Sequence, residues 1–307
     1  MKLYRSCGKD AKRAVLLFGG GLVGSAIADA LERQGLWALE TIRWDWIDSE
    51  QRQRQAAAFV DNLTACERID VVWAAGTSGF PSIPEQMAQE AAHVAEVLDL
   101  TARLRQRASS AVFHLFSSLG GLFEGQSWID NDSQPFVHRP YGDGKAKQEA
   151  MVRAMQPDVV ARIYRPSSVY GYTPRGRRGL FSAIIASILT SRPAVIFGSP
   201  HTIRDYVLAA DIGDFVAQEL GREAIGERVH IVASGKPTSL IEAIGIIEDE
   251  LGRRYYGRFD KAPHNTLDMT VRVSALPPDL RRTSLRFGIS LVHQSMMRNL
   301  ILKSNEA

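Results

Sequence analysis

Residues 14–24 read Ala-Val-Leu-Leu-Phe-Gly-Gly-Gly-Leu-Val-Gly. The apolar run Ala14 to Phe18 suits a buried strand, and Ser25 to Gln34, closed by Gly35, suits a helix. Between them Gly19, Gly21 and Gly24 supply G-x-G-x-x-G in the strand, turn and helix context that gives the pattern its meaning. The chain must turn tightly there, and its backbone must approach a diphosphate with no Cβ in between. The helix N-terminus, opened by Leu22 and Val23, then faces the negative charge. A dinucleotide site at Gly19, Gly21, Leu22, Val23 and Gly24 is therefore expected, in preference to a ligand-free glycine turn.

Strands and helices alternate outward from this turn. Trp37 to Trp44 reads as a strand, Ser49 to Cys66 as a helix, Asp70 to Ala75 as a strand and Glu85 to Arg107 as a long helix. A strand at Ala111 to Phe116, a helix from Tyr141 to Met155 and a strand at Val159 to Tyr164 continue the series. Such alternation implies βαβ units with right-handed crossovers, a doubly wound α/β fold built on a parallel sheet. After Gly171 the pattern loosens: residues 172–179 are rich in Gly, Pro and Arg, Leu180 to Thr190 is an apolar helix, and Pro277 and Pro278 precede a C-terminal helix. The expected division is a dinucleotide-binding domain at 1–171 and 203–221 with a smaller, discontinuous substrate-binding region at 172–202 and 222–307.

With 307 residues, the chain suits one large domain or a core with a smaller attachment. Its 37 basic and 34 acidic residues leave +3, too small an excess to suggest nucleic-acid binding. Cys7 and Cys66 build neither a disulfide framework nor a zinc site, so no metal is expected. Basic residues through Arg13 followed by the uncharged run 14–28 imitate a secretory leader, but the glycine turn explains that run better. No other stretch suits a membrane helix, and a soluble cytoplasmic protein is the expectation.

Tyr141 and Lys145 form Y-x-x-x-K, which on a helix places both side chains on one face. A phenol is a poor acid or base near neutrality, and a neighbouring ammonium favours its phenolate. Ser117 and Ser118 follow the Ala111 to Phe116 strand, at the carboxyl edge where a doubly wound sheet places ligands. One of them could polarise a substrate oxygen beside Tyr141, or both could merely cap the strand end. After the second strand, where a carboxylate often reads the adenosine ribose, the chain offers Arg43. Arg43 either pairs with a 2′-phosphate, which leans toward NADP, or is a solvated charge; Asp45 and Trp46 are further candidates at the adenosine. His114 and His201 read as structural.

Together these motifs resemble the extended short-chain dehydrogenase/reductases, and within them the NAD-dependent epimerase/dehydratase branch that acts on nucleotide sugars. The likeness runs through the glycine turn, Asp70-Val71-Val72-Trp73-Ala74-Ala75-Gly76, Ser117 to Phe123, Pro140 to Glu149, Arg165 to Gly171, and Arg204 to Val207 leading to Asp211. It implies a Rossmann-type fold, NAD or NADP as cofactor, and Tyr141, Lys145 and Ser118 as catalytic residues. It also implies cofactor contacts at Ala74, Ala75, Gly76, Ser117, Pro166 and Ser168, substrate phosphate at Arg204, and a homodimer built on the helices 85–107 and 141–155. Arg175, with Arg177 and Arg178, either adds phosphate contacts or forms a solvated basic loop. Leu119 stands where relatives carry the catalytic Ser or Thr, leaving Ser118 one place early. The Thr-Asp-Glu of the 4,6-dehydratases is absent, which argues against dehydration. The expected activity is an epimerase or ketoreductase on a nucleotide sugar; the alternatives are a reductase of a non-sugar carbonyl and a non-catalytic NAD(P)-sensing protein.

Overall fold

The computed structural model describes residues 1–7, 12–63, 66–174, 179–260 and 266–305. In chain order the elements are β1 (Lys2–Ser6), β2 (Arg13–Phe18), α1 (Leu22–Gln34), β3 (Trp37–Thr41), α2 (Ser49–Asn62), β4 (Cys66–Trp73), α3 (Pro84–Arg105), β5 (Ala108–Phe116), α4 (Leu119–Phe123) and α5 (Pro140–Arg153). There follow β6 (Val160–Pro166), β7 (Ser168–Tyr170), α6 (Leu180–Thr190), β8 (Ala194–Phe197), β9 (Ile203–Leu208), α7 (Ala209–Gly221), β10 (Arg228–Val232), β11 (Pro237–Ser239), α8 (Leu240–Leu251), β12 (Gly257–Asp260) and α9 (Leu285–Asn305).

The main sheet has the order β10-β6-β5-β4-β2-β1-β3. From β2 through β4, β5 and β6 to β10 every pairing is parallel. Both faces are covered. Leu16, Val71, Phe113 and Ile163 pack with residues of α2 and α3 on one side, and Val15, Leu17, Val72 and Tyr164 pack with α1 and α7 on the other. Burial on both faces explains why these strands read as near-continuous apolar runs rather than alternating ones. Truncating such a residue, Leu16→Ala for instance, costs about 2–5 kcal/mol.

The expectation of a uniformly parallel sheet fails at one place. β1 is inserted between β2 and β3 and runs antiparallel to both, with Leu3 opposite Leu16 and Glu40. Leu3 and Tyr4 are fully buried on opposite faces, Leu3 over the α2 and α3 side and Tyr4 over the α1 and α7 side. β3 is thus displaced from β2 by one additional strand, roughly 5 Å in the hydrogen-bonding direction. Residues 2–6, lying in the basic N-terminal stretch, are a structural strand.

β10 also departs from the division drawn from sequence. The expected division places Arg228–Val232 in the smaller region, but it pairs with β6 at the edge of the main sheet. β9 pairs with β7 and β11 in a separate three-stranded sheet. Its Val207 faces the α1 and α7 core while Tyr206 and Leu208 face the cluster formed with α6, α8 and α9, so this strand joins the two packing units.

Candidate active site

The glycine turn sits at the carboxyl end of β2. Gly19 has φ +113°, and a Cβ there would lie 2.2 Å from the Ala74 carbonyl oxygen at the end of β4. Only glycine serves at such a position. A Cβ on Gly24 would lie 2.2 Å from the Gly19 carbonyl oxygen, so the third glycine lets α1 close onto the turn. Gly21 differs: it caps α1 with ordinary extended dihedrals, has no side-chain cap, and a Cβ there would meet open space. The first N–H groups of α1 therefore lack a capping side chain and adjoin a groove of about 670 Å³. This donor set fits a dinucleotide diphosphate.

Gly19, Gly21, Ala74, Ala75 and Gly76 line that groove. So does Trp46, within an aromatic cluster that places its ring 6.1 Å from Trp73 and 5.9 Å from His93. Leu22 and Val23 begin α1, half-buried behind the turn. Arg43 is exposed beyond β3 and is not among the residues lining the groove, which Trp46, three residues further on, does line. Asp45 serves the chain itself. Its Oδ1 accepts hydrogen bonds from the N–H groups of Ile47 and Asp48, which hold its carboxyl below the usual range.

Tyr141 and Lys145 lie on α5, started by Pro140. Lys145 Nζ is 5.8 Å from the centre of the Tyr141 ring. Gly142, beside Tyr141, allows α5 to approach α4, since a Cβ there would lie 2.0 Å from the Gly121 carbonyl oxygen. On the α4 side, Ser118 is the N-cap and its Oγ accepts the Gly121 N–H at 3.0 Å. The Tyr141 ring and the Ser118 Cβ both approach the Gly121 Cα, coming within 3.1 and 3.3 Å of where a Cβ would stand. Ser118 and Tyr141 are thereby brought together, Ser117 is buried at the end of β5, and Leu119 points into the core and is fully buried.

Sequence reading missed Glu90. On α3, only 5% exposed, it accepts the Lys145 ammonium at 2.8 Å and the Gln148 amide at 3.0 Å on one oxygen. The other oxygen accepts the N–H groups of Thr77 and Ser78, each at 3.1 Å. Burial would raise its carboxyl, but Lys145, Gln148 and Ser78 outweigh that and hold it down to about 2. The remaining Lys145 donors reach Gln148 Oε1 at 3.1 Å and the Phe116 carbonyl at 3.4 Å. Glu90 and Lys145 are 55 residues apart, beyond any local spacing signal.

A second cavity of about 450 Å³ is lined by Ser168, Tyr170, Phe181, Arg204 and Tyr206 together with Phe80. Phe80 meets Tyr141 edge-on at 5.8 Å, and the 77–82 loop that carries it also lines the groove at the glycine turn. Pro166 is buried at the end of β6, outside this lining. Arg204 is 6% exposed; its Nη2 is 3.4 Å from Glu124 Oε1, and its Nη1 has no hydrogen-bond partner among the described residues. The neighbouring Asp205 does not answer it, since that carboxylate accepts the N–H groups of Ser234 and Gly235 and the Ser167 hydroxyl. Arg175, Arg177 and Arg178 lie outside the described residues. No cluster of metal-ligating side chains occurs among those described.

The carboxyl-edge groove, the glycine turn and the Tyr/Lys helix together define a Rossmann-type dinucleotide fold of the extended short-chain dehydrogenase/reductase kind. The chain belongs to the NAD dependent epimerase/dehydratase family, whose profile matches residues 15–232. A Methanocaldococcus jannaschii protein, provisionally named a UDP-glucose 4-epimerase, is 28% identical over 156 residues. That match covers 48% of this chain and about half, 50%, of the relative's length. Among solved structures, the Thermus thermophilus UDP-glucose 4-epimerase in complex with NAD superposes with a TM-score of 0.74 at 19% identity, covering 93% of this chain and 99% of that one. RMD from Pseudomonas aeruginosa, complexed with NADPH, gives 0.73 at 17% identity, covering 94% and 99%. No helix among the described residues is long and apolar enough to cross a membrane.

Proposed function

We propose that this protein is a nicotinamide-dependent epimerase or ketoreductase acting at a sugar carbon of a nucleotide sugar, with Tyr141 as acid/base. The observation that supports this reading is the packing of Tyr141 against Phe80 of the 77–82 loop, which walls both cavities, with Lys145 and Ser118 beside it; Tyr141, Lys145 and Ser118 themselves line neither cavity. When bound, the nicotinamide supplies or takes hydride. Gly19, Gly21 and the α1 N-terminus hold its diphosphate, and Ala74, Ala75 and Gly76 border its path. Tyr141 moves the proton of the reacting hydroxyl, Ser118 orients that oxygen, and Arg204 grips a substrate phosphate with its unpaired Nη1. The missing Thr-Asp-Glu supports epimerisation or reduction over dehydration.

Both NAD and NADP stand as cofactors; the lean toward NADP rests on Arg43, exposed beyond β3 three residues before the groove-lining Trp46. Thermal-shift measurements against nucleotide sugars, with NAD and NADP in parallel, test the assignment because ligands of the folded state raise its apparent stability. Stabilisation by a dinucleotide and, further, by a nucleotide sugar is expected. Cofactor retained through purification indicates an epimerase, and net NAD(P)H consumption indicates a reductase.

A non-catalytic NAD(P)-sensing protein is the second reading, favoured by one observation: the Lys145 donors are already engaged by Glu90, Gln148 and Phe116. The homodimer implied by the family is proposed on α3 and α5; of the face Ala91, Ala92, Ala95 and Leu98 read from the sequence, Ala92 and Ala95 are exposed, whereas Ala91 is half-buried and Leu98 packs into the chain's own core. Light scattering at micromolar concentration tests it; a monomer contradicts it.

A further inference from the structure

Glu90 of α3 ties Lys145 and Gln148 of α5 to Thr77 and Ser78 of the 77–82 loop. Glu90 is a buried carboxylate on the wall of the dinucleotide groove, where a negative group would repel phosphate. Each of its oxygens has two donors, Lys145 and Gln148 on one and the Thr77 and Ser78 backbone on the other. The Lys145 ammonium that faces the Tyr141 ring is consequently half of a compact ion pair.

We propose that Glu90 is a positioning residue that fastens Lys145 to the loop walling both cavities and cancels its charge in front of Tyr141, so that Tyr141 rests as a phenol ready to donate a proton. The proposal rests on the acid/base role of Tyr141. Its physics is that of a dipole. A lone ammonium beside a phenol favours its ionised form, and a carboxylate 2.8 Å from that ammonium opposes the effect.

The other groups around Tyr141 leave this balance in place. Arg139, at the N-cap of α5, is paired with Glu124 at 2.7 Å, and Glu124 also faces Arg204. Asp143 on α5 is exposed to water, α4 presents the Ser118 hydroxyl, and the loop presents the uncharged Phe80. Glu90 is the carboxylate that faces Lys145 from α3.

The test follows phenolate absorbance from neutral to alkaline pH in four proteins, wild type and Glu90→Gln, each with and without Tyr141→Phe. Subtraction within each pair isolates the Tyr141 titration and needs no substrate. The expected result is a Tyr141 midpoint about one pH unit or more lower in Glu90→Gln than in wild type, with Glu90→Asp, which keeps the charge, returning toward the wild-type value. Coincident midpoints in wild type and Glu90→Gln, whatever the change in melting temperature, overturn the proposal. Should Glu90→Gln fail to fold, Glu90→Ala takes its place with the same expected fall in the midpoint, and an unmoved midpoint refutes the proposal. Calorimetry with NAD and NADP on the wild type is run alongside. Absence of dinucleotide binding there strikes the proposed function, while the midpoint comparison judges Glu90.

Discussion

Lys145 Nζ lies 5.8 Å from the centre of the Tyr141 ring, one turn further along the same face of α5. That relationship follows from the four-residue spacing, and the fold sets the pair beside Ser118, with Tyr141 against Phe80 of the loop shared by two cavities.

The glycine turn separates binding from folding. Gly21→Val is expected to abolish dinucleotide binding while moving the melting temperature by only a few degrees, because its Cβ enters open space and its dihedrals are ordinary. Gly24→Ala is expected to lose stability instead, since its Cβ would stand 2.2 Å from the Gly19 carbonyl oxygen. Calorimetry and thermal melts on both variants check this. Retained NAD(P) affinity in folded Gly21→Val protein contradicts the site.

Arg204→Lys tests the phosphate anchor. Lysine keeps the charge but not the planar fork, so substrate KM is expected to rise about tenfold or more, with NAD(P) affinity and melting temperature nearly unchanged. Stability holds because Arg139 still pairs with Glu124 at 2.7 Å. A variant that loses stability yet keeps its substrate KM shows that Arg204 serves Glu124 and not a ligand.

The sheet carries a pH dependence of its own. His114, fully buried, shares its ring nitrogens with Asp70 at 3.0 Å and the Tyr164 hydroxyl at 2.9 Å. Burial lowers its pKa in spite of Asp70. The unfolded chain, with an ordinary imidazole, then binds more protons below about pH 6.5, so stability falls as the pH drops from there toward the folded value. Melting temperatures recorded from about pH 7.5 down to 5.5 should decline in wild type and decline less in His114→Gln; equal slopes contradict the assignment.

What was legible in the sequence was whatever the chain encodes locally. The glycine turn, the Tyr/Lys spacing and α6, read as Leu180 to Thr190 and found there, all depend on residues near one another. β1 was not legible: five residues with Leu3 and Tyr4 buried on opposite faces show no period, and the strand exists only through pairing with β2 and β3. Ser49 to Cys66 ran too long for a similar reason, since α2 ends at Asn62 and Cys66 already pairs with Ala108. Glu90 and Glu124 escaped notice because their partners, Lys145 and Arg204, are 55 and 80 residues away.

The proposed function stands on proton transfer by Tyr141 in a nicotinamide-dependent reaction on a nucleotide sugar. The most direct measurement compares wild type and Tyr141→Phe over a panel of UDP and other nucleotide sugars and their keto forms, following NAD(P)H absorbance and sugar configuration together. Wild type is expected to turn over at least one of them, and Tyr141→Phe, with unchanged NAD(P) affinity and melting temperature, is expected to be slower on it by roughly 10² to 10⁴. Equal rates in the two proteins on that substrate would contradict the claim.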